Sequence, residues 1–194
     1  MPFDLQPASL HDELIKLVPL QESDFDKLFE VASNPKVWEQ HPNPNRYKWE
    51  DFTNYFKGAI ESKGAFLIVD SKTNEVVGCS RYYDYNEKDN SVLIGYTFIG
   101  TQFWGNGYNK SLKKIMLDYA FQFVEKVHFH IGAFNIRSQK AIEKIGAIKV
   151  DEFEVEYYGE ASKLNFVYQI NKSDFYRWLP EKDQKIRDTA NNVY

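Results

Sequence analysis

The sequence predicts an α/β fold of the mixed, α+β kind, with one central sheet of about seven strands and helices on both faces. Apolar residues follow a helical period before residue 64 and a strand-like pattern over 65–100. The segment 92–134 then reads as strand, helix, strand. Such a unit needs a crossover connection, so its two strands are expected to be parallel neighbours in the sheet.

One strand and one helix are predicted first. The apolar run 13–20 predicts the strand. The helix that follows has Ser23 as its expected N-cap. Asn34 and Pro35 should end this helix, since a residue before proline disfavours the helical conformation.

A second helix is predicted over 48–64, where Phe52, Phe56 and Ile60 are helically spaced and Gly64 is the terminator. Two turn-rich separators divide the next three strands, so these should form an antiparallel meander. The later elements are strands over 65–70, 76–85 and 91–100, a helix over 109–124, a strand over 126–134, a helix over 136–146, strands over 148–158 and 163–172, and a helical turn over 173–179.

Composition limits the classes of protein. The 194 residues, 43% of them hydrophobic, suit one domain over 1–180 followed by a polar tail over 181–194. A net charge of −4 argues against nucleic-acid binding. Cys79 is the single cysteine, which excludes a disulfide framework and a cysteine-rich zinc site. No run is long enough to span a membrane, and the N-terminus does not read as a secretory signal, so a soluble, cytoplasmic protein is expected.

The turn between a strand and a helix, Gln102-Phe-Trp-Gly105-Asn-Gly107, is the strongest functional signal. It is not a P-loop, because Trp104 and Asn109 stand where that motif has glycine. It is not a dinucleotide fingerprint either, because Lys110 replaces the third glycine and a meander precedes it. Glycines let backbone amides at a helix N-terminus approach an anion such as a pyrophosphate. An ordinary glycine turn is the alternative.

Two motifs together resemble the GNAT superfamily of acetyl-CoA-dependent N-acetyltransferases. The turn matches each position of that family's [Q/R]-x-x-G-x-[G/A] signature. Asn135-Ile-Arg-Ser138 and the following Glu143-Lys-Ile-Gly146 are similar to the branch that acetylates ribosomal-protein N-terminal amines. The order of elements also agrees over about 13–171, and the resemblance implies that the parallel central strands splay apart.

The resemblance implies acetyl-CoA as the cofactor and a primary amine as the acceptor. The pyrophosphate would lie on the amides from Gln102 to Asn109, and the pantetheine arm along the preceding strand. Asn135 would contact that arm, and Ser138 would lie near the thioester sulfur. The implied cofactor-binding residues are Tyr96, Thr97, Phe98, Ile99, Gln102, Phe103, Trp104, Gly105, Asn106, Gly107, Tyr108, Asn109, Lys110, Asn135 and Ser138.

The implied reaction is direct attack of a neutral amine on the thioester. A backbone amide near Phe98 is the implied oxyanion donor. Many relatives protonate the thiolate with a tyrosine seven residues after the asparagine, but that position is Ile142 here. Ser138 is the remaining candidate proton donor, with water as the alternative. For the general base, Asp84, Glu87, His130 and a water chain stay open.

The acceptor side is less defined. Residues that could frame an amine lie in the loop 38–47 and on a central strand: Trp38, His41, Arg46, Tyr47, Arg81 and Tyr83. Core packing or a structural salt bridge is the alternative role for each. A peptide N-terminus would suit an open groove, and a polyamine or antibiotic would suit a carboxylate-lined cleft.

A homodimer through the late strands is compatible with the fold, and a non-catalytic acyl-CoA-binding or sensory module is the alternative function. No metal site is expected.

Overall fold

A computed structural model of the protein describes residues 3–158 and 161–179. The strands are β1 (Leu10–His11), β2 (Ile15–Pro19), β3 (Ala65–Asp70), β4 (Val76–Asn86), β5 (Ser91–Ile99), β6 (Lys126–Gly132), β7 (Ile148–Val155) and β8 (Lys163–Asn171). The helices are α1 (Phe25–Ala32), α2 (Trp49–Glu61), α3 (Tyr108–Ala120), α4 (Ile136–Glu143) and α5 (Lys172–Trp178).

The strands form one sheet of eight in the order β1-β2-β3-β4-β5-β6-β8-β7. Strands β3, β4 and β5 are the predicted antiparallel meander. Strands β5 and β6 are parallel, as the crossover through α3 requires. The mixed fold is therefore confirmed, with eight strands in place of about seven. The additional strand is β1, whose two residues are too few to produce a periodic pattern.

The two parallel strands separate part-way along their length. Their pairing ends at Leu93 and His128. Strand β5 continues to Ile99 and β6 to Gly132 without further pairing between them. The sheet therefore opens into a gap at the C-terminal ends of its two central strands.

A β-bulge in β5 accompanies this opening. The register with β4 changes from Arg81–Gly95 to Cys79–Phe98, so β5 carries one more residue than β4 there. The extra residue shows in the backbone of Tyr96, whose φ is +51°. Residues with a side chain rarely adopt this conformation, and it often marks functional positions.

Helices cover both faces of the sheet. Phe66 and Ile68 of β3 pack into one core with α3 and α5, whereas Leu67 and Val69 pack into the other with α1 and α2. Side chains of a strand alternate between faces, so a strand buried on both faces reads as a continuous apolar run. This explains why the sequence of β3 is apolar throughout.

Several predicted boundaries differ from the observed ones. Ser23 is not an N-cap; it lies within a 3-10 turn, where Gln21 and Asp24 cap each other reciprocally and α1 starts at Phe25. Helix α3 ends at Ala120 rather than near 124, because the chain tightens into short turns before β6. The tail predicted over 181–194 lies outside the described residues.

Candidate functional site

The gap between β5 and β6 is the mouth of a cleft of about 490 Å³. Residues from β5, the glycine turn, α3, β6, α4 and the loop after α1 line it. Among them are Trp38, His41, Pro42, Tyr96, Thr97, Phe98, Ile99, Phe103, Trp104, Gly105, Gly107, Tyr108, Asn109, Lys110, Lys113, Phe129, His130, Asn135, Arg137, Ser138, Ile142, Lys144 and Tyr157. Most of the predicted cofactor-binding residues therefore meet in one cleft.

The glycine turn supplies backbone donors to this cleft. Gly105 and Gly107 have φ of +80° and +86°, the left-handed region that favours glycine. The first amide with a helical partner in α3 is that of Ser111, which donates to the Gly107 carbonyl at 3.0 Å. Among the described residues, the amides of 105–110 have no hydrogen-bond partner. They are an anion-binding cradle at the N-terminus of a helix.

Two predicted residues of the motif do not line the cleft. The side chains of Gln102 and Asn106 are exposed outside it. Trp104 does line it, and its indole N–H donates to the carbonyl of Ile99 at 2.8 Å. This bond fixes the position of the turn relative to the end of β5.

The N-x-x-S motif is a helix cap. The Oδ1 atom of Asn135 accepts from the amide of Ser138 at 3.1 Å, which starts α4. Asn135 is buried and lines the cleft. Its Nδ2 group makes no hydrogen bond within the described residues and stays available to a ligand. Ile142, which replaces the tyrosine of many relatives, is buried against the same cleft.

The loop after α1 is attached to α4 across the cleft. The amide of Arg137 donates to Oε1 of Gln40 at 3.0 Å, and its guanidinium pairs with Glu39 at 3.1 Å. The same guanidinium lies 4.1 Å from the centre of the Trp104 ring. Arg137 thus connects the glycine turn, α4 and the loop, three parts of the cleft that are distant in sequence.

Trp38, Tyr96 and Tyr157 form an aromatic wall of the cleft. Arg46 lies behind this wall and does not line the cleft. It is 1% exposed, and its guanidinium carbon is 4.9 Å from the ring centre of Tyr55 and 5.5 Å from that of Tyr157. Its Nη1 lies 3.4 Å from Nε2 of His41, which does line the cleft. Burial, and then the Arg46 charge, hold the pKa of His41 well below its usual range. His41 is therefore neutral at physiological pH.

Three other predicted acceptor residues also lie away from the cleft. Arg81 is buried, donates to the Gly58 carbonyl at 3.0 Å and lies 3.8 Å over the Tyr96 ring. Tyr83 packs edge-on against Tyr96. Tyr47 packs beside the core on the α1 and α2 face. In this structure Arg81 supports the wall that Tyr96 forms.

The base candidates separate clearly. Asp84 and Glu87 are exposed at the β4–β5 hairpin and do not line the cleft. His130 does line it and packs edge-on against Phe153. Burial lowers the pKa of His130 to about 4, so its imidazole is neutral at physiological pH.

Lys113 lines the cleft, although its place in the sequence predicts only added positive charge near the glycine turn and no further role. It is 5% exposed, its Nζ donates to Oγ1 of Thr97 at 3.0 Å, and it lies 5.5 Å from the centre of the Phe129 ring. Burial lowers the pKa of Lys113 to about 7. The burial of Lys113 could be predicted from the sequence, because Lys113 shares the helical spacing of the buried Met116 and Ala120.

The buried amine of Lys113 should make stability depend on pH. Its folded pKa of about 7 lies below the ordinary 10.5, so between these values the unfolded chain binds more protons. This group's contribution to the free energy of unfolding therefore rises with pH across that window. We expect Lys113→Met to melt about 5 °C higher than the parent at pH 7, with the difference shrinking towards pH 10.

Differential scanning calorimetry from pH 6 to 10 measures this difference. Lys114→Met, which removes a partly exposed lysine from the next position, should follow the pH dependence of the parent. A Lys113→Met difference that stays constant over the whole range would contradict a lowered pKa for this buried amine.

The charged side chains that line the cleft are basic. Lys110, Lys113, Arg137 and Lys144 line it, and no aspartate or glutamate does so among the described residues. The cleft is therefore positive, although the chain carries a net charge of −4.

Within 3–158 and 161–179, no group of three or more histidine, cysteine or acidic residues is arranged to hold a metal. No helix of the same ranges is long and apolar enough to cross a bilayer.

A comparison with protein-family models decides the family. The model of the acetyltransferase (GNAT) domain matches residues 15–148, more than half of the chain. The chain belongs to the GNAT family. It is an N-acetyltransferase, and enzymes of this GNAT family use acetyl-CoA. A search of curated protein sequences found no significant match.

Solved GNAT structures share the fold. An acetyltransferase from Bacillus anthracis is 19% identical with a TM-score of 0.68, covering 85% of this chain and 99% of that one. A candidate ribosomal-protein-serine acetyltransferase from Vibrio cholerae is 15% identical with a TM-score of 0.66, covering 84% and 97%. The spermidine N-acetyltransferase from Vibrio cholerae, solved with CoA and spermine, is 16% identical with a TM-score of 0.62, covering 84% and 99%.

Proposed function

We propose that this protein transfers an acetyl group from acetyl-CoA to the α-amine of a peptide N-terminus. The observation that carries the proposal is the row of unpartnered amides at 105–110, which opens directly onto the gap between β5 and β6. Acetyl-CoA supplies an activated acetyl thioester and an anionic nucleotide end. The basic side chains and the unpartnered amides at 105–110 suit the anionic nucleotide end. The gap between β5 and β6 suits the arm that carries the thioester.

The phosphates would lie at the glycine turn. The amides from Gly105 to Lys110 would donate to the pyrophosphate, helped by the positive end of the α3 dipole. Lys110 and Lys144 line the same cleft and would neutralise the remaining phosphate charge. Arg137 stacks on Trp104 and would keep the turn in place.

The pantetheine arm would lie in the gap. The unpaired edge of β5 over Thr97–Ile99 offers it backbone groups, as a further strand would. The available Nδ2 of Asn135 faces it from the start of α4. Ser138 lines the same region, beside the expected position of the thioester.

The acceptor would enter on the side of the loop after α1. Trp38, His41, Pro42 and Tyr157 line that part of the cleft. They offer aromatic surface and no carboxylate. A polyamine would need negative partners for its several charges, so these residues favour an acceptor with at most one cation.

The available bases favour an α-amine. Of the predicted base candidates Asp84, Glu87 and His130, His130 lines the cleft, but its pKa of about 4 makes it a weak proton acceptor at neutral pH. The α-amine of a peptide N-terminus has a pKa of about 7.7–8.0, whereas an alkylamine such as a lysine side chain has about 10.4. About a tenth of the peptide α-amine is therefore neutral at pH 7, against less than about a thousandth of the alkylamine, so it depends less on a strong base.

Thermal melting with acetyl-CoA tests the cofactor, with NADH and ATP as controls. Saturation at about 100 times Kd adds roughly 2.7 kcal/mol to the free energy of unfolding, which is about 5–10 °C for a chain of this size. We expect this rise with acetyl-CoA alone. A larger rise with NADH or ATP, or none with acetyl-CoA, would contradict the placement of the cofactor.

Thiol release then tests the reaction and the acceptor class. Three acceptors form a matched set: a peptide with a free N-terminus, the same peptide blocked at its N-terminus but containing lysine, and spermidine. We expect release of CoA thiol with the first peptide only. Release with spermidine alone would contradict the α-amine assignment, and binding without release for any amine would favour a non-catalytic acyl-CoA-binding module.

A further inference from the structure

Lys113 is a buried amine that the proposed binding of phosphates does not use. An ammonium has three donors, and the one bond that Nζ makes to a described residue is to Oγ1 of Thr97 at 3.0 Å. No carboxylate pairs with it in the described part of the chain. A side chain that is 5% exposed and lines the cleft thus directs its remaining donors to the cleft itself.

The position of Nζ is in the gap between the separated strands. Thr97 belongs to β5, one residue beyond the bulge at Tyr96, and Phe129 belongs to β6, one residue beyond the last pair of the two strands. Nζ is close to both, 3.0 Å from Oγ1 of Thr97 and 5.5 Å from the centre of the Phe129 ring. This is the segment of β5 along which the reactive end of pantetheine would lie.

Three hydroxyl groups around the cleft are less available as proton donors. The phenol of Tyr108 donates to Asp70 at 2.6 Å, and that of Tyr157 donates to Asn165 at 2.6 Å. Ile142 occupies the position where many relatives have a tyrosine. Ser138 has a hydroxyl, but a serine is a much weaker acid than an ammonium.

We propose that Lys113 delivers the proton that converts the departing CoA thiolate into the thiol. This inference rests on the proposed acetyl-CoA reaction. The acceptor nitrogen forms a bond to the acetyl carbonyl carbon, and the C–S bond breaks with its electron pair on sulfur. A proton moves from the Lys113 ammonium to that sulfur. The proton lost by the acceptor amine passes through solvent and restores the ammonium.

The electrostatic surroundings suit this role. The charged and titratable groups that line the cleft with Lys113 are His41 in the loop, Tyr96 on β5, Tyr108 and Lys110 on α3, His130 on β6, Arg137 on α4, Lys144 just after α4 and Tyr157 after β7. They are cationic or neutral, so none is a counter-ion for Lys113. An anionic sulfur would be the first negative partner of this ammonium. Because burial lowers the pKa of Lys113 to about 7, its proton is also readily released.

The test uses CoA and needs no acceptor amine. Ultraviolet absorbance of the thiolate is followed from pH 6 to 10 in CoA bound to the protein, with desulfo-CoA as the blank. An ammonium beside the sulfur favours the thiolate, so the parent should hold about ten times more thiolate at pH 7.5 than Lys113→Met. Lys113→Arg, which keeps the charge, should resemble the parent, and so should Lys114→Met. The measured titration belongs to the coupled pair of groups.

The outcomes separate this inference from the proposed function. Calorimetric binding of desulfo-CoA shows whether each folded variant still binds the nucleotide. If Lys113→Met and the parent both bind CoA with the same thiolate titration, the role of Lys113 is overturned and the acetyl-CoA proposal stands. If the folded parent binds neither CoA nor desulfo-CoA, the proposed function itself fails.

Discussion

Gly107→Val is expected to weaken CoA binding by at least about 100-fold, equivalent to roughly 2.7 kcal/mol. Gly107 has φ +86° and forms the N-cap of α3. An added Cβ there would meet only Leu14, at 3.8 Å, so space is not the obstacle. A branched side chain disfavours this backbone conformation by about 1–3 kcal/mol. The turn should change shape, and the amides of 105–110 would lose their common direction.

Isothermal calorimetry of CoA binding measures this effect, and Gly146→Val is its matched control. Gly146 has φ +94°, beyond the C-terminus of α4, and does not line the cleft. The control therefore has similar backbone strain at a position away from the cradle. It should lower the melting temperature but keep most of the CoA affinity. Equal CoA affinity of folded Gly107→Val and the parent would show that the cradle does not hold the cofactor.

Trp38→Ala should have the largest effect on stability, lowering the free energy of unfolding by about 3–5 kcal/mol. Trp38 is 1% exposed, its ring centre is 4.9 Å from that of Phe98, and its indole donates to the Ala32 carbonyl at 2.8 Å. The substitution leaves a cavity beside the guanidinium of Arg46. It also removes part of the wall on the proposed acceptor side.

Chemical denaturation of Trp38→Ala and Trp38→Phe checks this prediction. Phenylalanine keeps a ring against Phe98 but lacks the indole donor. Trp38→Phe should therefore lower the free energy of unfolding by less than half as much as Trp38→Ala does. A Trp38→Ala protein that unfolds with the free energy of the parent would mean that the aromatic wall does not depend on this side chain.

The motifs of the cofactor side could be predicted because they are local. Gly105 and Gly107 have the backbone that a turn into a helix N-terminus requires, and Asn135 caps α4 through a residue three positions later. Such features depend on a few adjacent residues, so a sequence pattern records them. The acceptor side could not be predicted in the same way. Arg46 belongs to the same predicted loop as His41, yet it lies behind the wall that His41 helps to form.

Lys113 illustrates the same limit. The helical pattern places it on the buried side of α3, where a lysine is costly unless it has a partner or a function. The pattern does not show that the strands above it separate. Only the end of pairing at Leu93 and His128 gives its amine a cleft to face.

The sequence by itself determined the mixed fold, the parallel pair joined by α3 and the glycine turn at its end, because these follow from local periodicity and crossover geometry. The tertiary structure alone decided which side chains face the cleft. The extra residue at Tyr96 shifts the alternation of β5 by one, so that Ile94 and Ile99 pack into the same core while Phe98 packs into the other. A bulge forms through contacts with neighbouring strands, and no pattern within β5 encodes it.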